Sequence, residues 1–303
     1  MRAFFSKPRI IIIIVFVALG VFGLFSLYGK PPVTLPIKLI EDSNNLGPKY
    51  KVIGMSVEGR KIESYTHLPA QAGGTGDTKL LFVGGIHGGY EWNSVLLAYQ
   101  FMDYLGKNPG FVPNNITVTV IPSVNPDGVY KVVGKEGRFT TTDVSINKQI
   151  LTSGRFNAHN VDLNRNFDCK WQPKSIWQEK VVSAGSEAFS EPESQVLKNF
   201  ILENNPDAVI FWHSQSGSVY ASKCEAGVLS GTLDIMNVYA KASGYSAVET
   251  FDAYATSGDA EGWLASIGIP AITVELKTHE TIELEQNLSG VKALFEYYSQ
   301  KKN

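Results

Sequence analysis

The chain has 303 residues and a formal net charge of −2. That length suits one large α/β domain with an appendage better than two ordinary domains. Residues 1–30 hold Arg2, Lys7, Arg9 and Lys30 and no acid, so the rest of the chain carries −6; a mildly acidic body excludes nucleic acid as the main partner.

The first segment reads as a membrane anchor, residues 1–29. From Ile10 to Gly29 no residue is charged, and about 20 such residues span a bilayer as a helix. The basic residues before the run put the N-terminus inside and the body on the extracytoplasmic side. The alternative is a signal peptide cut near Ala18-Leu19-Gly20, which gives a secreted protein. Residues 30–48, rich in Pro and Asn, read as a linker too short for a folded inhibitory domain. That leaves 49–303 as the working domain.

From Tyr50 onward apolar and polar residues alternate around Glu58-Gly59, a hairpin signal. "AQAGGTGDT" is a loop that precedes a strand, so it cannot cradle phosphate at a helix start. "KLLFVGG" (79–85) is a buried strand, and helical spacing follows over 92–105. "ITVTVIP" (116–122) is the next strand. A helix is expected over 191–202, with Ser190 as N-cap and Glu193 completing a capping box. "AVIFWHS" (208–214) is a strand, "SGTLDIMNVYAKASG" a helix closed by Gly244, "IPAITVEL" (269–276) a strand, and 286–300 a last helix. The alternation predicts an α/β domain whose mixed, mostly parallel central sheet is flanked by helices. The two cysteines, Cys169 and Cys224, belong to no CxxC pair; outside the inner membrane they could form one disulfide, but spacing alone does not bring them together.

In such sheets sites gather at the carboxyl ends of strands. His87 follows the strand ending at Gly85, with Glu91 four residues on; His213 and Glu275 end two other strands. Hydrolytic zinc commonly takes three protein ligands and leaves a position for water. His87, Glu91 and His213 would supply two imidazoles and one carboxylate. Glu275 could move protons to and from that water. A free carboxylate on the substrate calls for the planar fork of an arginine, such as Arg165 in "DLNRNF".

Each residue also has a plainer reading. A lone His at a strand end is most often a hydrogen-bonded structural residue, and Glu91 could merely favour a helix dipole. Glu275 is harder to dismiss, because burying a bare carboxylate in an apolar strand is costly. His67, His159 and His279 read as structural or surface residues, with only His279 near the site.

"GGIHGGYEW", "VNPDGV", "RFNAHNVDLNRNF", "SEPES", "FWHSQSG", "YATSGDAEGW" and "ITVEL" occur in order between about residue 50 and residue 300. Together they resemble a zinc metallocarboxypeptidase of the carboxypeptidase A type. The resemblance implies one Zn2+ held by His87, Glu91 and His213, the ligand set known for carboxypeptidase A. It implies Glu275 as the glutamate that activates water and passes its proton to the leaving amine. Arg155 matches the arginine that stabilises the oxyanion, and Asn164 and Arg165 the pair that grips the substrate's C-terminal carboxylate. Tyr254 matches the tyrosine that closes over the substrate, and Asp162 a carboxylate that orients His87. Glu261 falls at the position of the pocket floor, where an acid would favour a terminal Lys or Arg; otherwise it is a solvated residue at a helix start.

One departure matters. The family's common spacing is His-x-x-Glu, and here the third residue after His87 is Tyr90, a poor zinc ligand. Either Gly88 and Gly89 form a longer turn that brings Glu91 to the metal, or the set is incomplete. The expected activity is hydrolysis of the C-terminal peptide bond of peptides with a free carboxylate. The alternatives are an amidase acting on cell-wall peptides or N-acyl amino acids, and a non-catalytic peptide-binding module.

Overall fold

The sheet is built from strands that read in the sequence as short, β-branched apolar runs. A computed structural model describes residues 47–69 and 74–301. The expected anchor, and the linker up to residue 46, lie outside these residues. Among the described residues no helix is long and apolar enough to cross a membrane.

In chain order the elements are β1 (Lys49–Met55), β2 (Lys61–His67), β3 (Thr78–Val83), α1 (Trp92–Lys107), β4 (Ile116–Ile121), α2 (Pro126–Val133), α3 (Lys148–Ser153), α4 (Pro192–Asn204), β5 (Ala208–Ser214), β6 (Ser218–Ala221), α5 (Ser230–Ser243), β7 (Ser246–Val248), α6 (Ala260–Ser266), β8 (Ala271–Leu276) and α7 (Leu284–Lys301). Eight strands form one sheet in the order β1-β2-β4-β3-β5-β8-β6-β7. The central run β4-β3-β5-β8 is parallel, β6 and β7 also pair in parallel, and the remaining pairings are antiparallel. The sheet is thus mixed, as the alternation of strand and helix predicts. A hairpin of 174–177 and 180–183 stands apart from it.

Alternation along the strands divides the core. Leu80, Phe82, Ile210, Trp212, Ile272 and Val274 pack on one face with side chains of α1, α5 and α7. Leu81, Val83, Val209, Phe211 and Ala271 pack on the other with α4 and α6. The same alternation puts His213 on the face of Val209 and Phe211, and Glu275 on the face of Ala271. In the β5–β8 ladder Glu275 lies directly beside His213. Sheet register therefore brings together two polar residues 62 positions apart in sequence.

The β1–β2 hairpin turns through Glu58-Gly59 as the alternation predicts, with Gly59 at φ 77°. Helix α5 closes on Gly244, whose amide donates to the Ala240 carbonyl. The capping box expected before α4 does not form. Glu191 occupies the N-cap, Pro192 opens the helix, and no side chain caps it. Ser190 Oγ donates to Glu191 Oε1 instead, and Glu193 accepts from the Val57 amide of the neighbouring hairpin. Proline at the first helical position needs no amide partner, which lowers the demand for a cap.

Cys169 and Cys224 form a disulfide across a 55-residue separation, with Cα atoms 6.0 Å apart. It ties the segment after Phe167 to the strand 223–224, and a loop of that length is worth about 4 kcal/mol in the chain-entropy account.

At the end of β2, His67 is 8% exposed, and its Nε2 has no hydrogen-bond partner. Burial pushes its pKa down to about 4. The folded state resists protonating this ring while the unfolded chain accepts a proton near the ordinary value of about 6.5. Stability from this residue is therefore full above about pH 6.5 and is lost as pH falls toward about 4, by roughly 3 kcal/mol. Urea unfolding of the wild type and of His67→Phe at pH 7.5 and pH 4.5 checks this. The wild type is expected to lose more stability than the variant between the two pH values, and parallel losses refute it.

Candidate metal and catalytic site

Two glycine contacts set the loop after β3. Gly88 adopts φ +49°, and a Cβ there would lie 2.5 Å from the Gly154 carbonyl oxygen. A Cβ on Gly89 would meet Val132 Cγ2 at 2.4 Å and the Gly128 carbonyl at 2.5 Å. Only residues without side chains allow this loop to press against α2 and the end of α3. The Gly89 amide donates to the Gly154 carbonyl at 3.0 Å. The turn so formed holds one residue more than the common spacing. Its extra residue, Tyr90, leaves the ligand positions and packs its ring 5.0 Å from Trp177 and 4.6 Å from His279.

Glu91 then turns inward and is buried. Its Oε1 lies 2.7 Å from His87 Nδ1, and its Oε2 lies 3.0 Å from His213 Nδ1. The two Nδ1 atoms are 3.2 Å apart. His87, Glu91 and His213 are a group whose ligand atoms could hold a metal ion. Bonds of about 2.0–2.1 Å to a tetrahedral zinc put ligand atoms about 3.3 Å apart, close to the spacing seen here. Glu91 Oε2 is buried without an aligned hydrogen bond, so its lone pairs are open to a cation. The donor set, two imidazole nitrogens and one carboxylate, is of the borderline character zinc prefers.

The charges agree with this. Burial pushes the Glu91 carboxyl up, but His87 and His213 outweigh it and hold it well below the usual carboxylate range. Burial opposes a charged His213, yet Glu91 and Glu261 keep it well above the usual imidazole range. The site is thus built around an anion that demands positive charge beside it.

Behind the ligands stand more ionised groups. Arg155, 2% exposed, donates through Nε to Asp162 Oδ2 at 2.8 Å and through Nη2 to His87 Nε2 at 2.8 Å. Asp162 is fully buried. Burial works against its charge, but Arg155 and Arg165 hold it well below the usual range. Its Oδ1 lies 3.6 Å from His87 Nε2, so Arg155, rather than Asp162, makes the direct contact with the ring. Glu261, expected either as the pocket floor or as a solvated residue, is 4% exposed. It is therefore not solvated. Its Oε1 lies 3.0 Å from His213 Nε2 and accepts from Thr273 Oγ1 at 3.1 Å.

His87, Arg155, His213 and Glu261 open onto a cavity of about 170 Å³ lined also by Asn164, Arg165, Tyr254, Asp259 and Glu275. Glu275 Oε2 is buried with no hydrogen-bond partner. Burial, reinforced by Glu91, pushes its pKa up to about 8. Asn164 Oδ1 accepts from the Ala260 amide at 2.8 Å, and Arg165 Nη1 donates to the Asn164 carbonyl at 2.6 Å. The Tyr254 ring centre lies 6.0 Å from the Arg165 guanidinium carbon. Every residue named from the sequence as a site candidate borders this cavity or touches one that does. Residues 48–289 match the sequence pattern of the zinc carboxypeptidase family. The chain belongs to that family.

Similar proteins differ in what their names record. The zinc carboxypeptidase domain is 24% identical over 223 residues to gamma-D-glutamyl-L-diamino acid endopeptidase 1 of Lysinibacillus sphaericus, a match covering 67% of this chain and 55% of that protein. The chain spans about half the length of the bacterial relatives it matches. Its fold is like that of bovine thrombin-activatable fibrinolysis inhibitor in complex with tick carboxypeptidase inhibitor, with TM-score 0.65, 19% identity, and coverage of 84% of this chain and 91% of that one. It is also like that of murein-tripeptide amidase MpaA from Escherichia coli O157, with TM-score 0.57, 22% identity, and coverage of 83% and 93%.

Sequence reasoning missed Asp259 and Thr273. Asp259 caps α6 by accepting from the Gly262 amide at 2.7 Å, and Thr273 shares the face of Glu275. The alternation rule that placed Glu275 could have found Thr273 two residues earlier. His279, read as structural, accepts from or donates to Ser214 Oγ at 2.7 Å beneath Tyr90.

Zinc content of the purified protein tests the shifted turn. Glu91→Gln is expected to weaken zinc affinity by about 100-fold or more, since it removes the charged ligand. Tyr90→Phe is expected to leave zinc content unchanged. Loss of zinc in Tyr90→Phe with retention in Glu91→Gln would mean that position 90, not 91, serves the metal.

Proposed function

We propose that this protein is a zinc-dependent hydrolase that cleaves the amide bond preceding a C-terminal residue with a free carboxylate. The observation that carries the reading is the shared cavity: His87 and His213, two members of the His87–Glu91–His213 group, border it together with the unpartnered carboxylate of Glu275 and the Asn164–Arg165 fork.

His87, Glu91 and His213 would hold the zinc ion. When bound, zinc supplies a Lewis acid that polarises the scissile carbonyl and makes water more acidic. With His87 Nδ1 among the ligand atoms, His87 Nε2 would carry the ring proton, and Arg155, which can only donate and already borders the cavity, would be free of the ring. There its charge suits an oxyanion developing on the substrate carbonyl. Arg165, Asn164 and Tyr254 hold the terminal carboxylate and thereby fix which bond sits near the metal. Glu275 accepts a proton from the attacking water and returns it to the departing amine. Its raised pKa brings proton gain and loss close to neutral pH, the condition under which one group serves both steps.

The second reading, an amidase on cell-wall peptides, shares this chemistry and differs in the terminal residue and the residue before it. One observation favours a terminal residue bearing an amine. Asp259 borders the cavity beside Glu261, and burial together with Glu261 pushes its pKa up to about 6. Glu261 is committed to His213 and Thr273, so Asp259 is the acid better able to meet a substrate cation. The names of the similar endopeptidase and amidase agree with a peptide of that kind. The Cys169–Cys224 disulfide further supports an oxidising compartment, in line with an extracytoplasmic domain.

Two measurements test this. Glu275→Gln is expected to retain zinc and to lower kcat by about 1,000-fold or more; a variant with near wild-type kcat would remove Glu275 from the reaction. Across peptides ending in Lys, Leu or Asp, kcat/KM is expected to be highest for Lys at pH 7.5. That preference should shrink as pH falls below about 6, where Asp259 takes up a proton and loses its charge. Equal rates for all three substrates would refute the acidic pocket.

A further inference from the structure

A second cavity, of about 220 Å³, shares no lining residue with the cavity at the candidate metal site. Its walls come from β2, α1, α2 and the loops that follow β4 and α2. Val95, Tyr99 and Val129 give it an apolar side continuous with the core. Two polar atoms of its lining are buried without a hydrogen-bond partner, Arg60 Nε and Ser123 Oγ. A buried donor left open is costly unless a partner from outside the chain completes it.

Arg60 is held in place by its other contacts. Its Nη1 donates to Asp127 Oδ1 at 2.7 Å and to Glu58 Oε2, and its guanidinium carbon lies 3.9 Å from the Tyr130 ring centre. Nε stays open; Glu136 Oε1 lies 3.8 Å from it, beyond hydrogen-bond reach. The charges of the lining have both signs. Lys135 is taken by Asp143 at 2.6 Å, and Lys61 is exposed. Glu63 accepts from the Tyr50 and Tyr65 hydroxyls at 2.8 and 3.0 Å, neutral partners that leave its charge in place. The Glu136 side chain is 63% exposed. A ligand of one sign meets like charge on such a lining, whereas a ligand bearing both charges finds a partner for each.

We propose that this cavity binds a free α-amino acid with an apolar side chain. Its carboxylate accepts from Arg60 Nε and Ser123 Oγ, its ammonium faces Glu136 and Glu63, and its side chain lies against Val95, Tyr99 and Val129. An open donor and an acid only 3.8 Å apart suit opposite charges carried on one carbon. The volume falls below the roughly 300–1,000 Å³ of pockets for drug-sized ligands, which limits the occupant to a small molecule. The inference is independent of the catalytic reading, because none of these residues borders the cavity of the candidate metal site.

The test is calorimetric titration of the full chain with L-leucine, N-acetyl-L-leucine and L-leucinamide, for wild type, Ser123→Ala, Arg60→Gln and Arg165→Gln. The wild type is expected to bind leucine, and to bind the acetylated and amidated compounds about tenfold or more weakly, since each lacks one charge. Ser123→Ala should weaken leucine binding by about threefold to tenfold, the size of one lost hydrogen bond, and Arg60→Gln by more. Arg165→Gln, which alters the other cavity, should leave this binding intact. Leucine binding that is lost in Arg165→Gln and unchanged in Ser123→Ala belongs to the other cavity and overturns the proposal. Absence of leucine binding overturns it too, as does equal binding of N-acetyl-L-leucine, which needs only a carboxylate. Arg60 also anchors Asp127, so thermal unfolding of Arg60→Gln is measured alongside; if that variant does not fold, Ser123→Ala decides alone.

Discussion

The structure depends on one buried anion. Glu91 sits 3% exposed between two imidazoles, and an isolated carboxylate at such depth is strongly disfavoured. Its charge is tolerable only because His87, His213 and Arg155 surround it with groups that carry or can accept positive charge. Two of those groups have their own anchoring acid: Asp162 for Arg155 and Glu261 for His213. The result is a chain of alternating charges in which the removal of one member strands its neighbours. A divalent cation would suit such a chain by supplying the positive charge that the inner carboxylate demands, while Glu261 keeps the His213 ring oriented.

The scaffold delivers these charges by two different devices. His213 and Glu275 come from neighbouring parallel strands, and the ladder fixes their relation to within one residue. His87 and Glu91 come from a loop whose path is set by glycine contacts with the Gly154 and Gly128 carbonyls. The strand residues are held by register, and the loop residues by this glycine path. The glycine contacts explain how a loop one residue longer than the common spacing still presents Glu91. The surplus falls on Tyr90, whose ring finds an aromatic seat on Trp177 and His279 and is thus removed from the metal side without leaving an unpaired polar group in the core.

Much of this was legible in the sequence because it rests on periodicity. The core strands, the helices after them and the shared face of His213 and Glu275 follow from apolar runs and alternation. The expected helices over 92–105 and 286–300 correspond to Trp92–Lys107 and Leu284–Lys301. What was not legible depends on contacts between distant segments. The capping box at Ser190 failed because Glu193 has a better use on the Val57 amide, a partner 136 residues away. The fate of Glu261 was equally hidden, since a helix-start glutamate and a buried partner of His213 share one local pattern. The short strands Ser218–Ala221 and Ser246–Val248 carry too few residues for a periodic signal, and they owe their state to the β8 neighbour and to each other. The disulfide belongs to the same group: Cys169 and Cys224, 55 residues apart, meet only through the tertiary fold.

The cavity itself carries the last step of synthesis. A pocket that needed only to strip any terminal residue would be served by apolar walls, which cost nothing to desolvate. Here the lining includes Asp259, Glu261, Lys170 and Lys223, with the unpartnered hydroxyl of Ser222. Charged walls are expensive to empty of water unless the ligand returns complementary charge. They discriminate by leaving groups unpaired when the wrong side chain enters, a larger effect than a misfit of shape alone. In the proposed reaction the fork of Asn164 and Arg165 would select a chain end, and the charged walls would select which end. Reaction chemistry common to many hydrolases would in this way be coupled to a choice of substrate made by residues that take no part in moving protons.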